Sequence, residues 1–164
     1  MRAKRFLSLL LVIVLSFALF SCGDDEPILS HAELRMPLPE GYSETASDTY
    51  DALFSNGRYM IALTRISFVA GMLGEGIPET LTNVEFAELY LEKCGRDAEI
   101  MTDGVTYVEY FDMGASDEFY YLEAFYRSQY AYFVILFVSD ATVSGIARAE
   151  FLELARNVYF TNER

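Results

Sequence analysis

The fold of this chain is decided by the stretch FYYLEAFYRSQYAYFVILFV, residues 119–138. Its second half, Tyr130–Val138, is apolar throughout, which is typical of a strand that is covered on both faces. Arg127–Gln129 separates the halves and predicts a tight turn between antiparallel strands. The first half alternates, and its two faces carry Phe119, Tyr121 and Phe125 on one side and Tyr120, Leu122, Ala124 and Tyr126 on the other.

Further strands are predicted upstream of this hairpin. Residues 98–118 continue the period of two, with turns at Asp103-Gly104 and Gly114–Asp117, so residues 98–140 form a four-stranded meander. Ser55-Asn56-Gly57 joins two apolar runs and predicts a β-hairpin with a type I′ turn. Ala32–Pro39 alternates loosely and ends on prolines, which indicates a first strand at a sheet edge.

Two segments have helical periodicity. The first is predicted from Asn83 to Cys94, because Thr82 and Glu85 form a capping-box pattern and Gly95 is a natural stop. The second is residues 141–160. The expected buried stripes are Val84, Ala87, Leu91 and Cys94 in the first helix, and Ala147, Phe151, Leu154, Ala155 and Val158 in the second. The order of elements predicts an α+β domain in which two helices flank an antiparallel sheet of about six or seven strands.

The N-terminus has the pattern of an export signal. Positive charges at residues 2, 4 and 5 precede an apolar run, residues 6–20, that is shorter than the roughly 20 residues of a spanning helix. Leu19-Phe20-Ser21-Cys22 resembles the bacterial lipobox. The resemblance implies cleavage before Cys22 and a diacylglyceryl thioether on its sulfur, which would anchor the protein to a membrane. The alternative is an ordinary signal peptide with an incidental cysteine.

The predicted organisation has three parts. Residues 1–21 are the signal peptide, residues 22–29 are the lipidated cysteine with a short acidic tether, and residues 30–164 are a single α+β domain. The net charge of −13 becomes −16 when the three positive charges of the signal are removed. A domain this acidic repels nucleic acid, which is therefore excluded as a partner. Lipidation of Cys22 leaves only Cys94, so no internal disulfide is expected.

The order of these features resembles a family. The lipobox, LPEGY (residues 38–42), FAELYLEKCG (residues 86–95), the tyrosine-rich meander and FLELARNVYF (residues 151–160) resemble small lipoproteins of gut Firmicutes. The domains of those proteins are similar to the PsbP-like and DcrB-like α/β/α sandwiches. The resemblance implies that fold and a place in the cell envelope, and it carries over no functional residue except Cys22.

The sequence contains no recognisable catalytic, metal or cofactor motif. His31 is the only histidine and has no nucleophile pattern beside it, so a surface role is expected. Gly71, Gly74 and Gly76 match neither a dinucleotide fingerprint nor a P-loop. Cys94 is expected to be a small buried residue, with a reactive thiol beside Lys93 and Arg96 as the alternative. No enzyme activity, metal or cofactor is therefore predicted. The default expectation for the acidic groups is that they are solvated: Asp24-Asp25-Glu26, Asp97 with Glu99, and Asp117-Glu118.

The unusual feature is the number of aromatic residues in the meander. Either helices cover both faces and the rings are core, or some tyrosines form a contact surface. The residues proposed for such a surface are Tyr107, Tyr110, Tyr121 and Tyr132, with the loop Val69–Glu79 as the substitute if both faces are covered. The sequence favours a non-catalytic binding or accessory lipoprotein whose partner is an envelope protein or wall-associated ligand. The alternative is a surface hydrolase that uses carboxylates not identifiable from sequence.

Overall fold

The computed structural model describes residues 27–68, 77–114 and 116–161. The predicted signal peptide, Cys22, the acids of residues 24–26 and the loop glycines of residues 71–76 lie outside these ranges, and the predictions made for them stay predictions.

The core of the domain is a seven-stranded antiparallel sheet, as predicted. Its strands pair in the order β3-β4-β5-β9-β8-β7-β6. They are β3 (Ser43–Glu44), β4 (Ala52–Ser55), β5 (Tyr59–Ser67), β6 (Met101–Thr102), β7 (Thr106–Met113), β8 (Glu118–Arg127) and β9 (Ala131–Asp140).

Strand β9 is the central strand of this sheet, which confirms the prediction from its apolar run. It pairs with β5 on one side and with β8 on the other. Phe133 and Ile135 have no exposed surface, whereas Leu136 is half-buried. On the face that Leu136 shares, Tyr132 and Val134 are buried as well, so both faces are covered along the strand except around Leu136.

A second, three-stranded sheet packs on the main one. It consists of β1 (Ile28–His31), β2 (Leu34–Pro37) and β10 (Tyr159–Phe160), in the order β1-β2-β10. The prediction of an edge strand at residues 32–39 was wrong, because β2 is the middle strand of this small sheet. The folded domain also begins inside the predicted tether of residues 22–29: Ile28 starts β1 and Leu29 is completely buried.

Helix α1 (Asn83–Cys94) has the predicted bounds and the predicted capping box. Its buried residues are Phe86, Ala87 and Leu91. Cys94 is exposed, so the prediction of a buried thiol was wrong. The stripe that packs on the sheet runs through Phe86 and ends at Leu91, while Cys94 lies in the last turn, directly before the left-handed cap at Gly95 (φ 64°).

Helix α2 (Ser144–Arg156) is shorter than predicted. A 3₁₀ turn, Ala141–Val143, precedes it, and the chain after it enters β10 instead of continuing as helix. The predicted stripe is buried except for Val158, which is partly buried. Phe151 is its centre, with ring centroids 5.0 Å from Tyr59 and 5.2 Å from Phe137.

The hairpin between β4 and β5 is present, but its turn is not type I′. That turn needs positive φ at both central residues; Gly57 has φ 82°, whereas Asn56 is not in the left-handed region. The Asn56 side chain instead accepts hydrogen bonds from the backbone N–H groups of Arg58 (3.0 Å) and Tyr59 (2.8 Å). This Asx-type arrangement stabilises the turn without a second positive φ.

Candidate functional site

The two faces of the main sheet are covered unequally. Helix α2 and the small sheet bury one face. On the other face α1 packs on a cluster that includes Ile66, Phe125, Tyr132 and Val134. Beyond α1 the same face opens into a depression of about 370 Å³, which we call the tyrosine groove.

The described residues that line the tyrosine groove come from six segments of the chain. Its floor is formed by side chains of the central strands, including Thr64, Val134 and Leu136. Tyr90 of α1 and Arg96, just after the helix, line it from the helix side. Strands β7 and β8 and the segment before β4 supply the remaining lining residues: Tyr110, Asp112, Tyr121, Glu123, Thr49 and Tyr50.

Two of the predicted surface tyrosines meet in this groove. Tyr110 and Tyr121 are directly opposite in the β7–β8 register, and their rings stack with centroids 5.0 Å apart and planes 8° apart. Both side chains are half-buried, so each ring is partly accessible to a ligand. Aromatic surfaces of this kind offer contact area and a negative π face at small conformational cost.

An ion pair lies beneath the tyrosines. Arg96 Nη1 donates to Glu123 Oε2 at 2.6 Å, and the Tyr110 hydroxyl donates to Glu123 Oε1 at 3.2 Å. The Arg96 guanidinium also lies 4.3 Å from the centre of the Tyr110 ring. Both carboxylate oxygens are therefore occupied. Because Tyr121 stacks on the Tyr110 ring and Arg96 also lies over it, the π face left for a ligand is that of Tyr121.

The electrostatics of the groove keep Tyr90, Tyr110 and Tyr121 protonated. Burial, followed by the charge of Glu123, raises the pKa of Tyr90 and of Tyr110. Burial also raises the pKa of Tyr121, with the nearby Asp112 carboxylate as the second cause. The hydroxyls are thus neutral hydrogen-bonding groups at any physiological pH, and Asp112 is the carboxylate at the exposed rim.

The other two predicted surface tyrosines are buried, so the expectation that they point outward was wrong. Tyr107 is 2% exposed because it faces α2, where Arg148 donates a hydrogen bond to its hydroxyl at 3.0 Å. Tyr132 is completely buried because Phe86 of α1 stacks on it, with centroids 4.2 Å apart. Its hydroxyl donates to Pro78 O at 2.7 Å.

Sequence reasoning missed Tyr90, Arg96 and Glu123. Helical and strand periodicity identify faces, but they do not show that the end of α1 lies beside β7 and β8. One signal was present: Glu123 is an acid within the apolar run of β8, and it falls on the same face as Tyr121. A buried carboxylate needs a charged or hydrogen-bonding partner, so its position indicates a nearby cation.

The remaining polar features of the described residues have simpler roles. They contain no cluster of three or more potential metal ligands. His31 Nε2 lies 3.9 Å from Asp51 Oδ1 at the surface, in agreement with its predicted surface role. A second cavity of about 460 Å³ lies between β2 and α2, and it is lined by Pro37, Leu38 and Glu150 among others.

Comparison with known proteins adds information on the fold. No protein-family model and no curated protein sequence matches the chain. A solved structure of a protein from Bacteroides thetaiotaomicron VPI-5482 superposes with a TM-score of 0.53 at 11% identity, covering 85% of this chain and 50% of that one. The chain thus spans half the length of the Bacteroides protein.

A cyanobacterial protein structure matches this chain over nearly the whole of its own length. The solution structure of cyanobacterial PsbP (CyanoP) from Synechocystis sp. PCC 6803 has a TM-score of 0.51 and 13% identity, and the match covers 86% of this chain and 98% of that one. The fold is PsbP-like. This confirms the fold class that the sequence predicts, a sheet of seven strands with a helix on each face. No helix among the described residues is long and apolar enough to cross a membrane.

Proposed function

We propose that this protein is a lipid-anchored, extracytoplasmic binding module that holds a positively charged group of an envelope partner in the tyrosine groove. The observation that carries the proposal is the stacked pair of Tyr110 and Tyr121 on a sheet face that α1 leaves open. Aromatic rings with an acidic rim are the surfaces that recognise ammonium and guanidinium groups. Anchoring through Cys22 remains supported by the lipobox resemblance alone.

Charge favours a cationic ligand over an anionic one. Among the described residues, the lining of the groove contains one cation, Arg96, and two carboxylates, Glu123 and Asp112. Glu123 pairs with Arg96, which leaves the charge of Asp112 uncompensated by any ion pair among the described residues. The whole chain has a net charge of −13, so its field attracts cations and repels anions.

The same geometry argues against hydrolysis in the tyrosine groove. Acid–base hydrolysis needs a carboxyl group that can reach the substrate and exchange a proton with it. The two oxygens of Glu123 accept hydrogen bonds from Arg96 and Tyr110, and its side chain is only 4% exposed. Of the groove residues that the structure describes, Asp112 is then the one exposed carboxylate, and a single carboxylate does not provide the pair that glycoside hydrolysis uses.

Ring signals in NMR spectra of the tyrosine-labelled protein test the proposal. Tetramethylammonium is expected to shift the signals of Tyr110 and Tyr121, and Tyr121→Leu is expected to weaken binding by about tenfold, as loss of a cation–π contact implies. Tyr130→Leu is the matched control, because Tyr130 is 52% exposed and does not line the groove. The proposal is wrong if neutral sugars shift these signals and ammonium ions do not. It is also wrong if the protein turns over any ester, peptide or glycan and Asp112→Asn abolishes that turnover.

A further inference from the structure

The outer edge of β7 is unpaired over most of its length. On its inner side β7 pairs with β8 along all eight residues. On its outer side the two-residue strand β6 pairs only with Thr106 and Tyr107. Among the described residues no strand pairs with the outer side from residue 108 to residue 113, so backbone N–H and C=O groups point away from the sheet there.

This edge has only part of the usual protection against strand addition. Sheet edges are normally very short, covered, or protected by charged residues (lysine above all), proline or a bulge, and here the charged residues are the acids Glu109 and Asp112, which do not repel a basic strand. The opposite edge of the same sheet follows that rule, because β3 contains only Ser43 and Glu44. Residues 108–113, VEYFDM, contain neither lysine nor proline, and Phe111 and Met113 are 54% and 67% exposed.

The free edge runs beside the tyrosine groove. Side chains alternate along β7, and Tyr110 and Asp112 point into the groove. Phe111 points to the opposite face, where its ring lies 5.4 Å from that of Tyr120. A strand added along β7 would therefore place every second side chain next to Tyr110 and Asp112.

We propose that the outer edge of β7 binds an extended peptide segment with lysine or arginine at alternate positions. The peptide adds a strand to the sheet, its backbone hydrogen-bonds to residues 108–113, and its cationic side chains contact Tyr110, Tyr121 and Asp112. The side-chain part rests on the proposed function of the groove, whereas the backbone part does not.

The acidic charge around this edge favours a basic peptide over a second copy of this chain. Two further carboxylates, Asp97 and Glu99, are exposed in the segment between α1 and β6. A second copy of this chain would bring a net charge of −13 against another −13, which opposes edge-to-edge pairing. A basic extended segment complements both the acidic edge and the aromatic groove.

Backbone methylation of a peptide distinguishes strand addition from side-chain binding. The probe is the capped, fluorescent peptide Lys-Thr-Lys-Val-Lys-Thr-Lys, whose lysines share one face when it is extended. Two variants carry N-methyl groups on either the odd or the even residues, and fluorescence polarisation with the full, detergent-solubilised protein measures binding. A strand at an edge uses only one of its two sets of amides. We therefore expect one variant to bind like the parent peptide and the other to lose at least about tenfold in affinity.

The matched controls test the contribution of the peptide lysines and of Asp112 to binding. Replacement of all lysines by norleucine is expected to weaken binding by at least about tenfold, and Asp112→Asn by about threefold. The inference is overturned if both methylated peptides bind equally, or if both fail to bind. It is also overturned if sedimentation equilibrium shows a dimer that the peptide does not dissociate, since a second copy would then hold the edge against the peptide. If the methylation pattern appears while tetramethylammonium leaves Tyr110 and Tyr121 unshifted, the strand addition stands and the groove proposal fails.

Discussion

Arg96 and Glu123 are 27 positions apart in the sequence, and their side chains form an ion pair with an N···O distance of 2.6 Å. The Glu123 side chain is 4% exposed and that of Arg96 is 32% exposed. The pair joins the end of α1 to β8 and fixes the wall of the tyrosine groove. Glu123 is therefore the buried member of the pair, and it depends on Arg96 to compensate its charge.

Arg96→Met is expected to lower the free energy of unfolding by about 3–5 kcal/mol, because it leaves the buried Glu123 charge without its cationic partner and with only the Tyr110 hydroxyl as a donor. Adding Glu123→Gln to that variant is expected to restore part of the loss. Urea unfolding measures both. Arg156→Met is the matched control: Arg156 and Asp103 are also 2.6 Å apart, but they are 41% and 70% exposed, so about 1 kcal/mol or less is expected. Equal losses at Arg96 and Arg156 would contradict the role of burial.

Ile135→Ala is expected to lower the free energy of unfolding by about 2–5 kcal/mol, since it opens a cavity in the packed side of the central strand. Ile135 has no exposed surface. Leu136→Ala on the same strand is the control, and a smaller loss is expected because Leu136 is half-buried at the floor of the groove. A loss below about 1 kcal/mol at Ile135 would show that this part of β9 is not core.

Thr82→Ala is expected to destabilise α1 by about 0.5–2 kcal/mol. The Thr82 hydroxyl accepts from the Glu85 N–H at 3.2 Å, and the Glu85 carboxylate accepts from the Thr82 N–H at 2.8 Å. The Thr82 N–H and, second, the Thr82 hydroxyl both donate to the Glu85 carboxylate, and these two hydrogen bonds hold the pKa of Glu85 below its usual value. Hydrogen exchange of the α1 amides provides the measurement. Thr80→Ala, in the exposed segment before the helix, should leave their exchange unchanged, and equal effects would rule out the cap as the cause.

Stability is expected to fall at alkaline pH. Burial, with the Glu150 charge as the second cause, raises the pKa of Tyr42 to about 12. The unfolded chain releases this proton near pH 10 and the folded chain retains it, so the stabilisation is complete below about pH 10 and is lost as the pH rises toward 12. The urea midpoint should therefore be lower at about pH 11 than at about pH 9. Tyr42→Phe should reduce this fall, and an identical fall in that variant would exclude Tyr42 as a contributor.

Cys22→Ser is expected to prevent lipidation and to leave the chain unprocessed or unanchored, because the thioether needs the cysteine sulfur. Metabolic labelling with a fatty acid and partition into detergent measure the effect. Cys94→Ser is the natural control, since Cys94 is exposed and lies in the folded domain. If the Cys22→Ser chain is cleaved and still partitions into detergent, the lipoprotein interpretation is wrong.

Local patterns determined the elements of this protein. The apolar run of β9 required cover on both faces, and the capping box gave the bounds of α1 to the residue. The alternation in β8 also assigned its two faces correctly: Tyr120 and Leu122 lie in the core under α2, and Phe125 lies under α1. Each of these signals depends on residues within a few positions of one another, which is why a single sequence contains them.

Only the tertiary structure decided which tyrosines are exposed. The four predicted tyrosines are alike as strand residues: Tyr107, Tyr110, Tyr121 and Tyr132. Two of them are covered by helices that are distant in the sequence, because Arg148 of α2 covers Tyr107 and Phe86 of α1 covers Tyr132. The exit of α1 places Arg96 against Glu123, and β6 ends after two residues and leaves the edge of β7 open. Exposure depends on which elements pack together, and that packing is a balance of non-local contacts that no local period encodes.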